Sequence, residues 1–311
     1  MTSETIHLAQ VPEWGQAPIY TTAPHPPEPS ESEVQIRVKA AAIHRVVRSR
    51  ASGKHYSAKL LPHVPGTDGT GVLRDGTPVF FNSMTPTGGA MAEVINLPKT
   101  NVKPLPEDAD PLQVAASVNP GMSSWLALKT RTDGLKPGFT TLIMGVTSAS
   151  GRLAVSFAKT LGAGKIIGVA RNEAQMKEMS LDGFIVLKDK PEESDWAKIG
   201  EVDVILDYLY GAPTEALLKS LKPGKKIQYV QIGSLAGEVM SFPSGPLRSA
   251  DITMRGSGPG AWSLKDLNEQ LPSIIEAIVK CPEQKVKVEK LADIEKAWAD
   301  TNTKERIVLV P

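Results

Sequence analysis

Apolar and polar positions along this chain follow three successive patterns. Up to about residue 120, short apolar runs are separated by turns rich in Pro and Gly. Val34, Ile36 and Val38 alternate with Gln35, Arg37 and Lys39, the pattern of a strand with one buried face. Met91 to Leu97 is a second strand candidate, DGTPVFF reads as a turn followed by a strand, and Pro65 to Gly71 (PGTDGTG) is turn-rich. A helix is predicted from about Pro111 through Thr130. The middle then offers TTLIM (140–144), KIIGVA (165–170), FIVL (184–187), VDVIL (202–206), KIQYVQI (226–232) and DITMRG (251–256). Several of these lack polar alternation, so they suit strands covered on both faces. Between the first two, Leu153, Phe157 and Leu161 recur at helical spacing beside Ala154 and Ala158, and Gly162 supplies a stop. PTEALLKSLKPGKK behaves likewise, with Gly224 after its proline. Strands alternating with helices predict a parallel α/β sheet with right-handed crossovers. From about Ser263 the chain predicts a helix (LNEQLPSIIEAIVK), a strand (VKVEK), a short helix (DIEKAWAD) and a final strand (RIVLVP).

One segment carries most of the chemistry. TTLIM runs into Gly145-Val-Thr-Ser-Ala-Ser-Gly151, and a helix begins at once. Such a turn aims free backbone N–H groups and the positive end of a helix dipole at one point, which suits a pyrophosphate. Ser148, Ala149 and Ser150 are small enough for phosphates to approach the backbone. The alternative is an ordinary strand–turn–helix with serine caps, because a strict G-x-G-x-x-G is absent. The next strand ends at Ala170-Arg171-Asn172. An acid there would accept from a ribose 2′-OH, whereas Arg171 offers a guanidinium fork to a 2′-phosphate. Glu173, two positions on, keeps the diphosphopyridine nucleotide without that phosphate as a second reading.

Composition narrows the field. The 311 residues carry 35 basic and 34 acidic side chains, a formal charge of +1, with no charge block suited to nucleic acid. The length suggests about two domains. With Cys281 as its only cysteine, the chain can form neither an internal disulfide nor a multi-cysteine zinc site. No apolar run approaches the roughly 20 residues of a membrane span. MTSETIHLAQVPEWGQ lacks the basic and apolar regions of a secretory leader, so a cytoplasmic protein is expected.

Taken together, AAIHRVVRSRASGKHYS, HVPGTDGTG, NPGMSSWLAL, the nucleotide turn, VDVILDYLYG, IGSLAG and the closing DIEKAWAD…RIVLVP are similar to the medium-chain dehydrogenase/reductase superfamily. Within it, the chain resembles the zinc-independent, quinone-oxidoreductase-like branch. The resemblance implies a GroES-like, mainly β catalytic domain (1–121) and a Rossmann-type, doubly wound NADPH-binding domain (122–261). The C-terminal segment (262–311) would return to the catalytic domain. It also implies a cytoplasmic homodimer joined through DITMRG. Carried over by position, Ser148, Ala149 and Ser150 would face the pyrophosphate, and Arg171 with Asn172 the ribose phosphate. Tyr208 would lie near the adenosine, Ile232 and Ser234 near the nicotinamide ribose, Ser257 near the nicotinamide, and Ser123 against the cofactor. The chain departs from the family at Ser148 and Gly145, which stand for a glycine and an alanine of the turn. It departs again at His44, where many members have asparagine, and at Asp68, where glutamate is usual.

No zinc is expected: the cysteine position of zinc-dependent relatives falls near His44, and His55 and His63 lack ligand spacing. Carbonyl polarisation would then come from side-chain donors or from an electrophilic substrate. Tyr56 and His44 are the candidate catalytic residues, with Arg48 and Arg50 further donors and Met84, Met122 and Trp125 candidate apolar walls. Packing or solvated roles stand as alternatives for each. The expected activity is NADPH-dependent hydride transfer to a small electrophile, a quinone or α,β-unsaturated carbonyl. The alternatives are a zinc-free carbonyl reductase or alcohol dehydrogenase, a nicotinamide-binding sensor or pathway protein with little turnover, and a tailoring enzyme catalysing a redox-neutral step.

Overall fold

The computed structural model describes residues 4–55, 57–84, 89–242 and 244–311. The chain divides into two units, Met1–Asn119 with Leu271–Pro311, and Pro120–Gln270. In the first, β1 (Thr5–Gln10) pairs antiparallel with β2 (Ile19–Pro24). Then follow β3 (Glu33–Ala42), α1 (Arg45–Ala51), β4 (Asp68–Leu73), β5 (Pro78–Asn82), β6 (Val94–Pro98) and β7 (Val102–Pro104). The alternation predicted for β3 is realised: Ile36, Val38 and Ala40 are buried, while Arg37 and Lys39 are exposed.

The stretch 65–71, expected to be turn-rich, is where β4 begins. Gly66, ahead of the strand, takes φ +104°, whereas Gly69 and Gly71 serve close strand approach. A Cβ on Gly69 would meet the Ala40 carbonyl oxygen at 2.5 Å, and one on Gly71 would meet Ile36 Cγ2 at 2.5 Å. Because that need comes from β3, residues 65–71 alone do not reveal it.

Helix α2 (Pro111–Thr130) matches its predicted span. The second unit then alternates β8 (Thr140–Met144), α3 (Ala149–Thr160), β9 (Lys165–Ala170), α4 (Glu173–Lys177), β10 (Gly183–Val186), β11 (Val204–Asp207), α5 (Ala212–Ser220), β12 (Ile227–Gln231), α6 (Ser244–Ser249) and β13 (Ile252–Gly256). Its six strands are all parallel, in the order β10-β9-β8-β11-β12-β13. Successive residues serve opposite faces. Ile143 packs with Val155 and Ala158 of α3, whereas Leu142 and Met144 pack with Leu217 of α5. Burial on both sides explains the unbroken apolar runs. Helix α5 ends at Ser220, ahead of the proline, so Gly224 does not act as its cap.

The tail supplies α7 (Leu264–Val279), β14 (Val286–Lys290), α8 (Ile294–Ala299) and β15 (Arg306–Val310). Strand β15 joins β14 in parallel and β3 antiparallel, so the last strand completes the sheet of the first unit. That sheet runs β14-β15-β3-β4-β5-β7, with β6 also on β3. Sequence patterning did not single out β1, β2 or α1. Among the described residues, no helix is long and apolar enough to cross a membrane.

Candidate functional site

In the second unit the order of strands reverses between β8 and β11, each flanking strand being reached by a connection running the other way. In open parallel sheets ligands bind beyond the carboxyl ends of the strands at such a reversal. The sequence-predicted cofactor residues of this sheet lie beyond those ends. Residues 148–150 follow β8, Arg171 and Asn172 follow β9, and Tyr208 follows β11. Ile232 and Ser234 follow β12, and Ser257 follows β13.

The turn after β8 is built around Gly145, whose φ of +82° favours glycine. Ser148 caps α3: its Oγ accepts from the Gly151 amide at 3.0 Å. Gly151 allows the helix to sit on the turn, since a Cβ there would lie 2.3 Å from the Gly145 carbonyl oxygen. The amides of Ala149 and Ser150 make no hydrogen bond among the described residues. Two open donors thus lie at the positive end of a 12-residue helix, an arrangement that suits an anion.

Arg171 is exposed, and its guanidinium makes neither a hydrogen bond nor an ion pair among the described residues. Asn172 caps α4, its Oδ1 accepting from the Gln175 amide at 3.0 Å. Glu173 pairs with Lys177 at 2.8 Å, and that hydrogen bond holds its carboxyl below the usual range.

Ser123 and Tyr208 are brought together. Ser123 Oγ donates its one proton to the Pro120 carbonyl at 2.8 Å, so the Tyr208 hydroxyl donates to Ser123, 3.3 Å away. Burial pushes the Tyr208 phenol up to about 12, against an opposing effect of its serine hydrogen bonds. Ile232 is half-buried and Ser234 exposed. Ser257 is buried, and its Oγ has no hydrogen-bond partner.

Sequence reasoning missed two residues here. Asp207 closes β11 and accepts from groups on both sides of it. Arg131, after α2, donates to the carbonyls of Gly256 and Ala261, each at 2.9 Å, and so fixes the loop carrying Ser257. A lone acid ending the apolar run VDVIL was a usable signal. Nothing local marks Arg131.

In the first unit, His44 is buried. Its Nε2 lies 3.2 Å from the Ala115 carbonyl, which can only accept, so that nitrogen carries a proton. Asp68 Oδ2 is 3.7 Å away, and His44 Nδ1 has no hydrogen-bond partner. Asp68 Oδ1 accepts from Thr67 Oγ1 at 2.6 Å and from Asn119 Nδ2 at 3.2 Å. Arg48 lies 4.8 Å above the Trp298 ring and donates to that residue's carbonyl at 2.7 Å, which is a packing role. Arg50 is buried near His55 and His63, and burial first and Arg50 second lower both imidazoles, His63 to about 4. Tyr56 lies outside the described residues. Trp125 is buried in the second unit, edge-on to Phe157 at 5.3 Å, and donates to Gln270 at 2.9 Å, as a core residue would. Among the described residues, no group of three or more His, Cys, Asp and Glu could hold a metal ion.

A doubly wound unit together with a GroES-like one in a single chain defines the architecture of the medium-chain dehydrogenases and reductases. No family model matches the chain. It is 35% identical to the probable NADPH-dependent quinone reductase tdiC of Emericella nidulans, over 98% of this chain and 100% of that one. The fold is shared with a quinone oxidoreductase of Pseudomonas syringae (TM-score 0.79, 22% identity, 98% of this chain and 100% of that). It is shared also with a mycobacterial protein solved in complex with NADPH (TM-score 0.78, 19% identity, 98% and 100%). The chain belongs to the medium-chain dehydrogenase/reductase superfamily, among its quinone-oxidoreductase-like members, and is an oxidoreductase.

Proposed function

We propose that this protein is an NADPH-dependent reductase of quinones or α,β-unsaturated carbonyls that works without zinc. The observation that carries the reading is the contrast at the end of β9. The Arg171 guanidinium is open to a 2′-phosphate, while Glu173 is already engaged by Lys177. The name of the Emericella relative supports the same cofactor and substrate class. The residues present fit the group, because the open amides of Ala149 and Ser150 suit a pyrophosphate. Bound NADPH would supply the hydride.

In this reading Ser148, Ala149 and Ser150 hold the pyrophosphate, and Arg171 with the Asn172 amide nitrogen holds the 2′-phosphate. Tyr208, anchored through Ser123, backs the adenosine. Ile232 and Ser234 contact the nicotinamide ribose, and Ser257 offers its unsatisfied hydroxyl at the nicotinamide end. Residues 122–261 form the cofactor domain, and 1–121 with 262–311 the catalytic one. Tyr56 donates to the substrate carbonyl, with His44 as the alternative donor. Zinc independence is supported by the single cysteine and by the lack of a three-ligand cluster among the described residues. The single cysteine also suits a reducing cytoplasm.

Without a Lewis acid, developing oxyanion charge rests on donors alone, each worth about 10²–10³ in rate. A conjugated acceptor spreads that charge and needs less help than an isolated ketone. NADPH oxidation followed by absorbance across quinones, enones, aldehydes and ketones should therefore show quinones and enones fastest. Faster simple ketones would make the protein a carbonyl reductase. Tight NADPH binding with no turnover of any acceptor would make it a binding protein. Metal analysis of untagged protein should find no stoichiometric zinc, and one zinc per chain removed together with activity would overturn the metal-free mechanism.

A further inference from the structure

We propose that Asp207 is a positioning residue for the cofactor: its carboxylate shapes the two loops that receive the dinucleotide, and thereby sets affinity for it. The inference rests on the NADPH reading above. Asp207 ends β11 fully buried, and among the described residues no cation pairs with it. A buried carboxylate is costly unless donors surround it. Four do. Oδ1 accepts the amides of Leu209 at 2.7 Å and Tyr210 at 3.0 Å. Oδ2 accepts the hydroxyls of Thr214 on α5 and, at 2.6 Å, Tyr229 on β12.

The consequence is geometric. The two amide bonds wind 208–211 into a tight turn in which Tyr210 takes φ +56°, a region rarely adopted by residues other than glycine. The turn then presents the carbonyls of Tyr208 and Leu209 to the amides of Leu235 and Ala236, at 3.0 and 2.8 Å. The main-chain carbonyl of Asp207 accepts from Ile232 and Gly233 at 2.8 and 3.1 Å. One residue thus joins the loop after β11 to the loop after β12, and these carry Tyr208, Ile232 and Ser234. An apolar side chain of similar volume would pack β11 without a buried charge. A forked polar side chain is needed where irregular backbone must be held in a single shape, and the two oxygens of a carboxylate can serve four donors at once. Burial and the adjacent carboxylate push the Tyr229 phenol upward, so it remains a donor throughout the neutral range.

The test titrates the full-length wild type, Asp207→Ala, Asp207→Asn and Tyr229→Phe with NADPH, and measures KM, kcat and unfolding midpoint for each. Asp207→Ala should raise Kd and KM for NADPH about 10- to 100-fold, with a smaller fall in kcat. Asp207→Asn keeps an acceptor for both amides and reverses the two hydroxyl bonds, so it should return Kd to within about 3-fold of wild type. Tyr229→Phe keeps the ring and removes one donor, and about a 3-fold rise is expected. It serves as the test if the alanine variant does not fold. A lowered unfolding midpoint with unchanged Kd, in Asp207→Ala or in its substitute, would overturn the proposal and leave Asp207 a stability residue. A wild-type chain that fails to bind NADPH is a separate failure, which removes the cofactor reading and this role with it.

Discussion

At the scale of single residues, identity set chemistry while neighbours set availability. Arg171 was legible because a cation at the end of the second strand of such a unit has one obvious partner. The structure adds that nothing else among the described residues engages it. Arg171→Ala should weaken NADPH binding about 10- to 150-fold, the loss of one charge-assisted pair, and leave NADH almost unchanged. Titration with both cofactors checks this, and equal losses would remove Arg171 from phosphate recognition. Arg48 shows the opposite case. Its sequence context marks a donor, yet its partner Trp298 lies 250 positions away and commits it to packing. His44 likewise spends Nε2 on the carbonyl of Ala115, 71 positions on.

At the scale of elements, periodicity succeeded where one element met one environment. Helix α3 was readable because its apolar stripe and its serine cap are both local. Ser148→Ala removes the bond to the Gly151 amide and should cost about 1 kcal/mol. Differential scanning calorimetry should show the transition of the second unit falling by roughly 2–4 °C. Within the stretch 65–71, read as turn-rich, residues 68–71 proved to be strand because glycine has two uses. Only the approach of β3 shows that Gly69 and Gly71 serve contact rather than turning. Strand β13 lies at the open end of the parallel sheet. It is the edge through which we expect two copies to pair, and light scattering at micromolar concentration should give the mass of a dimer. A monomer would sink that expectation.

At the scale of the whole molecule, burial makes stability depend on pH. Folding holds the His63 imidazole near 4, below its unfolded value near 6.5, so the unfolded chain binds the extra proton between those values. Stability is therefore complete above about pH 6.5 and declines as pH falls toward 4, by roughly 3 kcal/mol in all. Urea unfolding of the first unit across that range should show the slope, and His63→Gln should flatten it. What the sequence alone determined was everything that repeats over a few residues: the parallel strands, the capped helix, the small-residue turn before it and the cation beyond the second strand. What only the tertiary structure decided was every role that depends on a distant partner. Asp207 meets Tyr229 from 22 positions away, and Arg131 meets Gly256 from 125. The reason is physical. Periodicity and capping act within a turn or two of chain, whereas hydrogen bonds between loops depend on which strands the fold sets side by side.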